Sequence, residues 1–110
     1  MLDELEKLAK SLTGLDKVLH EKTRLAISTI LFHRGKVDFN TLRRLLETSE
    51  GNLATHLRTL EQAGYVRVEK RFVGRKPQTL YELTNEGKKA YRNYLGSLVR
   101  IFQIESGRRR

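Results

Sequence analysis

Asn52, Thr55, Arg58, Thr59 and Gln62 gather with Gly51 on one side of a helical segment whose other side is Leu53, Leu57, Leu60 and Gly64. The division follows from stepping about 100° per residue around a helix axis. The polar side is slim at its leading end, carries amide and hydroxyl groups, and has one long base, Arg58. A helix that enters the major groove of a duplex needs those properties. Asn52 suits the edge of adenine, Arg58 suits guanine or a phosphate, and the methyls of Thr55 and Thr59 suit thymine. An ordinary solvated face would hold more Glu and Lys, whereas Glu appears only at its margins, Glu50 and Glu61. His56 falls beside the apolar side. A lone histidine there is expected to be packed and to reach a phosphate, rather than to ligate or catalyse.

A second basic group surrounds one short loop: Lys70 and Arg71 precede it, and Arg75 and Lys76 lie within it. At a hairpin tip, Arg75 and Lys76 can straddle a phosphate backbone, and Arg75 can enter a narrow minor groove of enhanced negative potential. Lys70 and Arg71 can meet phosphates. Lys70 lies on the otherwise apolar face of its strand and is expected beyond the edge of the core. Arg43 and Arg44, on the preceding helix, are further phosphate candidates, one of them within reach of Glu47.

The chain has 110 residues, with 22 Lys and Arg against 13 Asp and Glu, a formal charge of +9. Residues 1–40 contribute a net +1, residues 41–80 a net +4 and residues 81–110 a net +4. A merely soluble basic surface would explain the total equally well. The placement of the charge points to a polyanionic partner.

The length supports one domain. With no cysteine, disulfides, zinc knuckles and thiol catalysis are excluded, and a reducing, cytoplasmic location is expected. His20, His33 and His56 have no partner at ligand spacing, so neither a metal site nor a cofactor is expected. There is no P-loop, nucleophile elbow or clustered acid pair, and an enzyme is not expected. No apolar run approaches the roughly 18 residues of a membrane span. The N-terminus carries acids where an export signal carries bases. The excess of Glu over Asp and the high charged fraction lean towards a thermophilic source.

These side chains need elements to hold them. Leu5, Leu8, Leu12 and Leu15 mark a first amphipathic helix from about Asp3 to Ser11, interrupted near Gly14. A second covers Glu21 to His33, burying Leu25, Ile27, Ile30 and Leu31, and ends at Gly35. Lys36-Val37-Asp38 is too short for much strand, and Asp38 caps a third helix, Phe39 to Glu47, that buries Leu42, Leu45 and Leu46. Thr48-Ser49 forms a turn and caps the fourth, Glu50 to Ala63. Residues 65–73 then alternate, with Val66, Val68 and Phe72 inward. Gly74 to Gln78 forms a turn, and Thr79 to Leu83 returns as a strand with Tyr81 and Leu83 inward. Thr84 caps a long last helix, Asn85 to Ile104, followed by a frayed basic tail.

Helix, helix, turn, helix and basic hairpin describe a winged helix-turn-helix, mainly α with a small β-hairpin. Residues 52–66, Asn-Leu-Ala-Thr-His-Leu-Arg-Thr-Leu-Glu-Gln-Ala-Gly-Tyr-Val, resemble the recognition segment of MarR- and ArsR-type transcription regulators. Phe72-Val73-Gly74-Arg75-Lys76-Pro77 and Tyr81 to Gly87 resemble the wing and return strand of the same group. The likeness covers about residues 15–95 and is greatest to short archaeal and bacterial MarR-like proteins. It implies a winged core at 15–84, an N-terminal helix at 1–14, a dimerising helix at 85–104 and a basic tail at 105–110. The apolar stripes of the two terminal helices, Leu5, Leu8 and Leu12 with Tyr91, Tyr94, Leu95, Leu98, Val99, Ile101 and Phe102, are expected to form a homodimer; the alternative is packing of one terminal helix on the other within the chain. The metal-sensing residues of many ArsR-type proteins have no counterpart here.

The function expected is a homodimeric, sequence-specific regulator on double-stranded DNA, with repression implied by the resemblance and any small-molecule effector left open. Its rivals are an architectural DNA-binding protein of low specificity and a winged helix used for protein interaction.

Overall fold

The computed structural model describes residues 2–108. Its elements are α1 (Leu2–Thr13), α2 (Lys22–Arg34), β1 (Val37–Asp38), α3 (Phe39–Leu46), α4 (Glu50–Gln62), β2 (Val66–Val73), β3 (Lys76–Leu83) and α5 (Asn85–Arg108). Short polar side chains start the helices, because each can satisfy an amide that the first turn leaves free. Asp38 accepts the amide of Thr41 at 3.1 Å and Ser49 that of Asn52 at 3.1 Å, while Thr84 accepts that of Gly87 at 2.9 Å. Glu21, expected as the first helical residue of α2, is its cap and accepts the amide of Arg24 at 2.8 Å. Gly35 and Gly64 stop α2 and α4 with φ of 85° and 81°. The end of α3 differs: Glu47 takes the left-handed conformation at φ 48°.

The core forms around α2. Ile27 and Leu31 are fully enclosed by Leu15 and Leu19 from the α1–α2 connection, Leu42 of α3, Leu53, Leu57 and Leu60 of α4, Val66 and Leu83 of the hairpin, and Tyr94 of α5. Because α3, α4, α5 and β3 all pack on α2, it buries more than one side and carries no single apolar stripe. α4 packs on one side only and shows a clean Leu53–Leu57–Leu60 row. Gly87 is required by close approach: a Cβ there would overlap the carbonyl of Tyr65, which locks the head of α5 to the end of α4.

Several expectations are corrected. Val37 and Asp38 do form a strand, pairing antiparallel with Tyr81 and Leu80, so the hairpin belongs to a three-stranded sheet of order β1-β3-β2. The wing turn shrinks to Gly74-Arg75, with Val73 opposite Lys76 and Phe72 opposite Pro77. Gly74, at φ 64°, supplies the positive φ that the first central residue of a type II′ turn requires. Pro77 is tolerated within β3 because β1 reaches only residues 80 and 81 and leaves this stretch of β3 without a second neighbour. Phe72 is 73% exposed and Leu45 52%, both expected inward. The hairpin projects past the core beyond Val68, and α3 has only one face against α2.

Tyr91 and Tyr94 are not free for a partner chain, being only 3% and 4% exposed. Tyr91 donates to Thr29 Oγ1 at 3.0 Å and stacks near Phe32, and Tyr94 Oη lies 2.8 Å from His20 Nδ1. They attach α5 to its own α2 region. Helix α5 also continues through Arg108, past the fray expected at Ser106; Arg109 and Arg110 of the basic tail lie outside the described residues.

Candidate nucleic-acid interface

Helix α4 presents its polar face from a well-anchored start. The Thr48–Ser49 turn holds the first residues twice: Ser49 caps the Asn52 amide, and the Asn52 side chain donates to Thr48 Oγ1 at 2.7 Å. Gly51 has open space where a Cβ would be, which keeps the leading end slim. Thr55 and Thr59 turn their hydroxyls back to the carbonyls of Gly51 and Thr55, at 2.9 and 3.1 Å. Their backbone-bonded hydroxyls are thereby occupied within the helix. Arg58 is exposed, and among the described residues it has no hydrogen-bond or ion-pair partner. An exposed guanidinium with no internal partner keeps its full donor set for an external acceptor.

His56 sits where its position beside the apolar row predicts, half-buried against α2. Arg24 Nη1 donates to its Nδ1 at 3.1 Å, and Glu21 Oε1 lies 3.6 Å from the same nitrogen. The same Arg24 donates through Nε to the Val18 carbonyl at 2.6 Å. Arg24 and Glu21 were not singled out in the sequence. Glu21 had a local signal, a carboxylate three residues before the amide it caps; Arg24 had none, since its partner lies 32 residues away.

The wing keeps its basic character. Lys70, Arg75 and Lys76 are exposed and, among the described residues, unpartnered, whereas Arg71 Nε donates to Gln78 Oε1 at 3.0 Å across the strands. Lys70 lies opposite Thr79, beyond the buried part of the sheet, as expected. The inner end of the hairpin is neutralised: Arg67 pairs with Glu82 at 2.9 Å, and Lys36 with Glu69 at 2.9 Å. That second contact raises the pKa of Lys36 and lowers that of Glu69, first through the hydrogen bond between them. Uncompensated charge is therefore left towards the tip. On α3, Arg43 is exposed, and Arg44 donates to Thr41 Oγ1 at 3.3 Å. Among the described residues neither pairs with Glu47, whose left-handed backbone ends the helix there. Helix α4 packs along β2, so the polar face of α4 and the wing belong to one framework.

Known proteins share this arrangement. The description "winged helix DNA-binding domain" matches residues 23–102, from the first turn of α2 well into α5. The chain belongs to the winged helix DNA-binding family. It is similar to a transcriptional regulator homologue of Pyrococcus horikoshii OT3, at 30% identity and TM-score 0.77, covering 92% of this chain and 95% of that one. A structure described as a MarR-family transcriptional regulator of Enterococcus faecalis V583 aligns at 25% identity and TM-score 0.68, over 96% of this chain and 90% of that one. An uncharacterized protein of Methanocaldococcus jannaschii is 29% identical over 85 residues, 77% of this chain and 92% of its own. The family and the fold are those of DNA-binding transcriptional regulators, not enzymes. The MarR-like resemblance read from residues 52–87 is thereby supported. Among the described residues no helix is long and apolar enough to cross a membrane.

Proposed function

We propose that this winged-helix regulator binds a specific double-stranded DNA site as a homodimer and represses by occluding a promoter. The observation that carries the reading is the α4 face, where Asn52, Arg58 and the two threonines stand on a capped helix and Arg58 has no partner among the described residues. In this reading Gly51, Asn52, Thr55, Arg58 and Thr59 meet base edges, and His56, Arg43, Arg44, Lys70, Arg71 and Lys76 meet phosphates. Arg75 enters the flanking minor groove. No cofactor is needed.

The dimer is supported by shape. The radius of gyration is 16.9 Å, against about 13 Å for a compact chain of this length. Leu5 and Leu12 on α1, and Leu95, Val99 and Phe102 on α5, are exposed. Helices α1 and α5 pack together, so their apolar residues can serve one self-complementary surface, joined by Leu8, Leu98 and Ile101. Tyr91 and Tyr94 are excluded from it. A two-fold axis through such a surface presents two α4 helices to successive major grooves, about 34 Å apart.

Selection of bound sequences from random duplexes by the full chain tests the proposal. The expected result is a palindromic consensus with half-sites about 10 base pairs apart. Duplex binding without enrichment overturns sequence specificity, and absence of duplex binding overturns the whole reading.

A further inference from the structure

Phe72 is 73% exposed and Val73 56%, near the tip of the wing. Phe72 stands directly opposite Pro77 in the β2–β3 register, so the two share a face and form an apolar ridge past the end of the core. Between Glu69 and Glu82 there is no acidic residue, while Lys70, Arg71, Arg75 and Lys76 flank the ridge. A partner for this surface must offer an apolar slot edged by negative charge. A second copy of this chain, at a net charge of +9, fits poorly against so basic a tip. The minor groove of a duplex fits, since stacked base steps lie between two phosphate rails. Phe and Pro are among the side chains that enter such steps, unstacking them and kinking the duplex.

We propose that Phe72, backed by Pro77, is an apolar wedge that presses into a base step of the minor groove beside the half-site and bends the DNA. The inference rests on the duplex-binding reading above and adds a contact that reads deformability. Lys70, Arg71 and Lys76 hold the wing on the phosphates, Arg75 lies in the groove beside it, and Phe72 meets its lowest resistance at flexible pyrimidine–purine steps. Sequence preference therefore extends to a step where no hydrogen bond is made to a base.

The test uses the full chain and a duplex recovered from the random pool, carrying 2-aminopurine in turn at each flanking step and a fluorophore pair at its ends. The wild-type chain is expected to raise 2-aminopurine emission at one step and to bend the duplex by about 20° or more. Phe72→Ala is expected to abolish the emission change, reduce the bend and weaken binding by about tenfold. The slope of affinity against salt stays as in the wild type, because no phosphate contact is lost. Phe72→Leu keeps part of both signals. If Phe72→Ala binds with wild-type bend and emission, or weakens binding without changing either, the wedge is overturned while duplex recognition stands. If the wild-type chain binds no duplex, the functional reading fails together with the wedge.

Discussion

Arg24 Nη1 donates to His56 Nδ1 across 3.1 Å, joining the first turn of α2 to the middle of α4. A guanidinium has no acceptor to offer, so Nδ1 must accept, and the proton of the neutral imidazole resides on Nε2. Glu21 Oε1, at 3.6 Å from Nδ1, is too distant for a hydrogen bond in this state. Nitrogen-detected NMR of the histidines is expected to show His56 as the Nε2–H tautomer in the wild type and as a mixture in Arg24→Ala. That variant also loses the bond to the Val18 carbonyl and is expected to unfold about 1–3 kcal/mol more easily. An unchanged tautomer would show that Arg24 does not orient the ring.

The α4 face and the wing are expected to respond differently to mutation. Arg58→Ala should relax sequence preference and cost about 1–3 kcal/mol on the selected site. Lys76→Ala, which removes a phosphate contact, should weaken all duplexes similarly and lower the salt slope by about 1. Titrations at several salt concentrations separate the two; an unchanged preference in Arg58→Ala would mean that the reading face is misassigned.

Two ionisable groups give the fold a pH dependence of known sign. The hydrogen bond from the Thr41 side chain holds the Asp38 carboxyl below its ordinary pKa. With a depressed folded pKa, its stabilisation is present above about pH 4 and is lost as pH falls through the folded value. Asp38→Ala should lower stability by about 1 kcal/mol at neutral pH, with the difference fading in acid, as read from urea midpoints. Tyr65 is pushed up to about 12, first by its bond to Asp16 Oδ2 at 2.5 Å. Its stabilisation is full below about pH 10 and is lost as pH rises through the folded value. Burial also raises the pKa of Tyr81 and Tyr94, so phenolate absorbance should show several tyrosines titrating late, and Tyr65→Phe should remove the latest step.

Glu47 occupies the left-handed region at φ 48°, where a side chain costs about 1–2 kcal/mol. Glu47→Gly relieves that strain but adds unfolded-state freedom of about 0.5–1 kcal/mol. A net gain of up to about 1 kcal/mol is expected, measurable as a higher melting temperature. A loss would show that the carboxylate stabilises the turn by a contact worth more than the strain.

If α1 and α5 form the dimer, Leu95→Glu with Val99→Glu should yield monomers by sedimentation equilibrium and weaken duplex binding. Tyr94→Phe should leave assembly unchanged and lower monomer stability, because its hydroxyl meets His20 within the chain. Dimers that survive the double substitution would place the interface elsewhere.

Local signals gave much of this fold to a reader of the chain. Asp38, Ser49 and Thr84 act on amides three residues away, so their caps are visible in order alone. The Leu53–Leu57–Leu60 row has one neighbour side, and its period survives intact. The wing and α5 were less legible. Alternation placed Phe72 inward because the pattern of β2 does not reveal where the core beneath it ends. Tyr91 and Tyr94 share the apolar period of α5 with Leu95 and Val99, and periodicity does not say which of them their own chain covers.

The order of elements, the composition of the α4 face and the concentration of charge on helix-turn-helix and wing are written in residue order, since they depend on neighbours within a turn or a strand pair. Packing of the whole chain is what brings β1 into the sheet and Arg24 to His56, and what puts Tyr91 and Tyr94 in the core and leaves Phe72 outside it. Each of those depends on which distant surfaces meet, and burial is a property of the packed whole that no local period records.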